Sequence, residues 1–247
     1  MNVLFMIPTW TDNRIGEQST RAKIARIMLA QETMAFLKRL QKNNNREWLQ
    51  IHKPDFEKAK ADFANLVTDL IGRTAKFDPG VGGLLAESCV FRIYRDIRFS
   101  KDKKPYKTNF GAYLSPGGRK SKVPGYYLHL EPGHSFLAAG KHDPDPGELL
   151  RIRRVISNHP EEFLRILRAR NFQKCFDEIR GPKLKTAPKG FPKEHPAIEY
   201  LKLRAFIAYV ELPDDRFIVS REFPAFAASA FKETKPLVDF LRRALAG

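Results

Sequence analysis

Cysteine is nearly absent from this chain. Cys89 and Cys175 are the only two in 247 residues, too few for a disulfide scaffold, and they form no Cys-x-x-Cys pair to hold zinc or exchange thiols. Both are expected to be buried small hydrophobes. Long apolar runs are missing too. The run over residues 3–7 has no basic residue before it and stops at Pro8, which excludes a signal-peptide core or a membrane span there and leaves the cytoplasm as the expected location. Acidic side chains are scarce: 28 Asp and Glu face 44 Lys and Arg, for a net charge of +16. That balance favours anionic partners and resists self-association. No Gly-x-Ser-x-Gly elbow or dinucleotide fingerprint occurs, so serine hydrolase and Rossmann readings fall away. The segment 116–122 has glycines and cations but not the spacing of a nucleotide P-loop, and it is expected to be a solvated loop.

What is present is enough apolar material for a sizeable core, 43% of the residues with 11% aromatic. Residues 1–30 are polar and read as a loose leader or an over-called start, with Met28 and Met34 as alternative first residues. Residues 31–247 are expected to form one domain. Phe36, Leu37 and Leu40 share a helical face before the stop at Asn43, Asn44 and Asn45. Pro54 opens a second helix whose apolar stripe runs from Phe56 to Ile71.

The period then shortens. Alternation over 89–94, 110–114 and 126–130 predicts strands, and Pro132-Gly133 predicts a hairpin turn leading into 134–139. Two short helices follow, the first with Leu149, Ile152 and Ile156 inward and the second opened by Pro160. A short helix near 197–201 and a strand over 206–212 come next. Residues 223–245 are helical, and Pro236 is expected to divide them. These elements predict the α+β class: an antiparallel meandering β-sheet packed against several α-helices.

Residues 92–107 carry seven cations and two carboxylates among Tyr94, Phe99 and Tyr106. As a regular strand, 92–98 would place Arg92, Tyr94, Asp96 and Arg98 on one face. Arg92 and Arg98 would then flank Asp96 and grip a phosphate or carboxylate. Arg95, Lys101, Lys103, Tyr106 and Lys107 complete this candidate binding set, and Trp48 is a candidate pocket wall. The plainer alternative is a structural ladder in which Asp96 neutralises Arg92 or Arg98. His129 and Glu131 lie two apart on one strand and would pair as a general base and its orienting acid. His134 would join them in a metal site only across a two-residue turn; no metal or cofactor is assigned.

Four stretches carry a family resemblance: Asn43 through Trp48, Arg92 through Thr108, Gly125 through Gly133, and Pro188-Lys189-Gly190-Phe191-Pro192 with His195-Pro196. Together they resemble the bacterial family known as domain of unknown function 2461, over about residues 33–245. The resemblance implies kinship over nearly the whole chain and no particular reaction. One departure is that Ala138 and Ala139 precede Gly140 where the family tends to run through glycines. The functional expectation is a basic pocket for a phosphate-bearing or other anionic small molecule. The alternatives are a nucleic-acid-binding protein and a hydrolase using His129 with Glu131 or Asp96.

Overall fold

In a computed structural model, residues 28–176 and 178–246 are described. Most of the expected leader lies outside these residues. Its last part does not stand apart, since Leu29 is fully buried and the Ala30 N–H donates to Asp62 Oδ2 at 2.9 Å.

Apolar residues at helical spacing set the first third. Helix α1 (Gln31–Lys42) buries Met34, Phe36, Leu37 and Leu40. The chain turns at the asparagines, and Asn45 caps α2 (Arg46–Ile51) by accepting the Trp48 N–H at 2.8 Å. Pro54 sits in the first turn of α3 (Lys53–Thr74), where a missing N–H costs no hydrogen bond, and the stripe from Phe56 to Ile71 faces the core. A 3₁₀ turn (Pro79–Val81) and α4 (Ala86–Cys89) follow.

The strand expected over 89–94 does not form. Cys89 ends α4, and the chain beyond makes only isolated bridges, Val90 to Ala112 and Tyr94 to Tyr106. The Arg95 N–H donates to the Pro105 carbonyl and the Lys107 N–H to the Ile93 carbonyl, so this segment pairs with itself. Arg92, Arg98, Lys101, Lys103 and Lys104 stay exposed, whereas continued pairing with the sheet would have drawn cations against an apolar face.

The sheet proper contains β1 (Phe110–Leu114), β2 (Gly125–Leu130), β3 (Phe136–Lys141), β4 (Ile179–Arg180) and β5 (Phe206–Glu211). All pairings are antiparallel, in the order β1-β2-β3-β5-β4. The first three strands meander, while β5 enters between β3 and the short edge strand β4. The last β2–β3 partners are His129 and Phe136, so the turn is the longer segment 131–135. His134 therefore lies outside the ladder, in neither of the two registers expected for it. Ser135 braces the turn, its Oγ accepting the Glu131 N–H at 2.9 Å and donating to the Glu131 carbonyl at 2.8 Å.

Between β3 and β4 run α5 (Pro146–Asn158), α6 (Pro160–Arg168) and α7 (Arg170–Cys175); α8 (Ile198–Leu201) precedes β5, and α9 (Asp215–Ile218) and α10 (Phe223–Ala246) follow it. The architecture is a single-domain α+β fold. Helix α10 packs on β3, α3 and α5 and passes through Pro236 undivided. Proline in a helix interior costs about 3 kcal/mol. Phe231, Thr234, Leu237 and Val238 are buried on either side of it, and each large apolar side chain so placed returns about 1.5–3 kcal/mol. Packing therefore outweighs the break. Gly140 is required by the sheet, because its φ is +129° and a Cβ there would lie 2.0 Å from the Phe206 carbonyl oxygen. The neighbouring strand, not a ligand, makes that close approach.

Candidate functional site

The two-residue period of β2 sends Tyr126, Leu128 and Leu130 into the core and Tyr127 and His129 to the other face. By the register, Gly111 and Tyr113 of β1, Phe136 and Ala138 of β3, and Ile207 and Tyr209 of β5 share that second face. All but Gly111 floor a cleft of about 800 Å³, bordered by Phe91, by Arg119, Ser121 and Lys122 of the β1–β2 loop, and by His142 and Asp143 after β3. This size suits a small organic molecule. Gly111 leaves space for the Tyr127 side chain, since a Cβ there would lie 2.5 Å from the Tyr127 hydroxyl oxygen.

A bonded chain leads to His129 and Tyr127 of this floor. Thr108 Oγ1 donates to Glu131 Oε1 at 2.5 Å, and Glu131 Oε2 lies 3.2 Å from His129 Nε2. His129 Nδ1 is 3.2 Å from the Tyr127 hydroxyl and 3.4 Å from Asn109 Nδ2. The imidazole stacks on Phe136 with 4.4 Å between ring centres. A carboxylate partner at Nε2 assigns the proton to that nitrogen and leaves Nδ1 as the acceptor.

Burial pulls the His129 pKa below its ordinary value, against the opposing pull of Glu131; the neighbouring charges of His134 and Lys107 add to the lowering. For Glu131, burial works upward, but the Thr108 hydroxyl and His129 outweigh it and hold the carboxyl below its usual range. Burial, helped by the charge of Glu131, pushes the Tyr127 phenol up to about 12. At neutral pH the chain is therefore carboxylate, neutral imidazole and intact phenol, the protonation pattern of an oriented general base.

Of the residues expected at a site, the structure brings together His129 and Glu131. Asp96 is not with them: both of its oxygens hold Arg98, at 2.9 and 2.7 Å, on an exposed loop. Arg95 is taken by Asp102 at 2.7 Å, and Lys103 Nζ donates to the Ile97 carbonyl at 3.2 Å. Arg92, Arg98, Lys101 and Lys103 are exposed, and none of them lines the cleft. Lys107 comes nearest, half-buried with its ammonium 5.5 Å from the ring centre of Phe91, and burial lowers its pKa. Tyr106 is buried and gripped through its backbone by Asn44, which accepts from its N–H at 3.1 Å and donates to its carbonyl at 3.0 Å. Trp48 stacks on His52 at 4.1 Å and packs against Phe36, so it walls the α1–α2 corner and not the cleft. Among the described residues no group of three or more His, Cys, Asp or Glu could hold a metal ion.

Residues 116–122, expected as a solvated loop, contribute Arg119 and Lys122 to the cleft mouth. Arg119 Nη1 donates to the Glu87 carbonyl. Lys141 also lines the cleft but is buried and neutralised by Glu148 at 2.9 Å. Tyr113, Tyr127, Phe136 and Tyr209 were legible only as strand residues; alternation around His129 was the one signal that pointed to them.

The model of a family described as conserved hypothetical protein, DUF2461, matches residues 32–240. The chain belongs to this family. No curated protein and no solved structure matches it. The match spans every element of this DUF2461 fold from α1 to most of α10, and so both the cleft and the basic loop before β1. No helix among the described residues is long and apolar enough to cross a membrane.

Proposed function

We propose that this DUF2461 protein binds a small organic anion in the sheet-face cleft. An aromatic or apolar body lies against Tyr127, Phe136 and Tyr209, and the charged end lies at Arg119 and Lys122. The observation that carries this reading is the convergence of an aromatic floor, a neutral oriented imidazole and two cations on one cleft of about 800 Å³. Arg119 suits the charged end because a guanidinium has five N–H donors, and one bond to Glu87 leaves others to meet an oxyanion. A hydrolase is the second reading. It is favoured by the Glu131–His129–Tyr127 chain, in which the Tyr127 hydroxyl would pass its proton to Nδ1 as it takes one from a nucleophile; Asp96 has no part in it because Arg98 occupies its carboxylate.

Phenyl phosphate, benzoate, AMP and inorganic phosphate are suitable probes by calorimetry and thermal shift. Phenyl phosphate is expected to bind more tightly than inorganic phosphate. Arg119→Ala with Lys122→Ala is expected to weaken all four by about 10- to 100-fold. Tyr209→Ala should weaken only the aromatic probes, by about tenfold. No binding of any probe at millimolar concentration, or binding indifferent to both sets of substitutions, overturns the proposal.

A further inference from the structure

The cations that do not reach the cleft form a surface of their own. The Tyr94–Tyr106 bridge and the Arg95-to-Pro105 backbone bond close a ribbon, and the Asn44 grip on Tyr106 fixes it to the α1–α2 corner. Inside the loop, Arg95 donates to Asp102 Oδ2, to the Lys104 carbonyl at 3.2 Å and to Ser100 Oγ at 3.4 Å, while Asp102 Oδ1 accepts the Lys104 N–H at 3.1 Å. The loop's shape is thus held from within and needs no cover from the body.

What this frame presents outward is aromatic and cationic. Phe99 is 95% exposed and Tyr94 54% exposed. Arg92, Lys101, Lys103 and Lys104 are exposed around them, while the two carboxylates of the loop are already engaged by Arg95 and Arg98. We propose that this loop binds single-stranded nucleic acid, with bases stacking on Phe99 and Tyr94 and backbone phosphates meeting Arg92, Lys101, Lys103 and Lys104. Interleaved rings and cations on an ordered support are what sequence-tolerant binding of a single strand needs. An anionic membrane fits less well. A membrane-inserting tip gathers apolar side chains, whereas Phe99 stands alone between Arg98 and Ser100, and Tyr94 lies back on the stem. This surface is separate from the cleft, and the proposal does not rest on the ligand suggested there.

The test is fluorescence anisotropy of the full chain with labelled dT20 and rU20 between 50 and 200 mM salt. Engaging four phosphates predicts a log–log salt slope of about −3, at roughly −0.7 for each phosphate in a single strand. Phe99→Ala, which removes no buried contact, is expected to weaken binding by about 5- to 100-fold. Lys101→Ala with Lys103→Ala is expected to flatten the slope by about 1.4. Arg119→Ala with Lys122→Ala should leave both quantities unchanged. The proposal is overturned if neither oligonucleotide binds or if binding ignores the loop substitutions. It is equally overturned if vesicles containing 30% phosphatidylserine retain the protein through Phe99 while the oligonucleotides do not.

Discussion

Arg242 Nη1 lies 2.8 Å from Asp78 Oδ2, joining the last turns of α10 to the segment after α3 across 164 positions of sequence. The Tyr126 hydroxyl donates to the same carboxylate at 2.9 Å, and Arg242 Nε donates to the Pro124 carbonyl at 2.9 Å. One buried acid thus ties the first long helix, the last helix and the second strand. Burial works against ionising Asp78, but Arg242 and Tyr126 outweigh it and set its pKa below the ordinary value.

Removing that acid leaves the Tyr126 hydroxyl without its acceptor and the Arg242 guanidinium without its counter-charge, with only the Nε bond to the Pro124 carbonyl kept. Asp78→Ala is expected to lose about 3–5 kcal/mol in urea unfolding at pH 7. The pH sign follows from the lowered folded pKa. The pair's contribution is complete above the unfolded value of about 4 and is lost as pH falls through the folded value. Wild type and variant should therefore converge in stability as pH drops below about 4. A difference that is the same at pH 3 and pH 7 would remove the charge from this account.

His129 is expected to titrate below the usual value for histidine of about 6.5, as followed by its ring resonances in NMR. Glu131→Gln removes the charge that pulls upward and should drive the pKa lower still. Since the folded pKa is depressed, the unfolded chain takes the proton first as pH falls from about 6.5. His129 should thus subtract stability between that value and its folded pKa, and His129→Gln should flatten the stability profile in that window. An upward-shifted resonance would mean that Glu131, and not burial, governs the ring.

Pro236 is exposed in a continuous helix. Pro236→Ala is expected to raise stability by about 1–2 kcal/mol, with a higher Tm. The gain is the restored N–H and relieved ring contact, less the conformational freedom that proline removes from the unfolded chain. A lower Tm would show that the proline ring itself packs usefully on α10.

Much of the fold was written in local pattern. The apolar stripes of α1 and α3, the Asn45 cap and the alternation of 110–114, 126–130 and 206–211 each involve residues within a turn or two of one another, so neighbouring side chains alone announce them. Where a local rule met distant packing, the rule failed. Alternation over 89–94 gave way to α4 and a self-paired ribbon, and Pro236 did not break α10.

The site divides in the same way. Kinship, excess positive charge and the pairing of His129 with Glu131 follow from the order of residues. The partners of each cation, the insertion of β5 beside β3 and the meeting of Tyr113, Tyr127 and Tyr209 with Arg119 in one cleft do not. Those depend on groups far apart in the sequence, and only the assembled sheet, by fixing register and therefore face, determines which of them meet and which point to solvent.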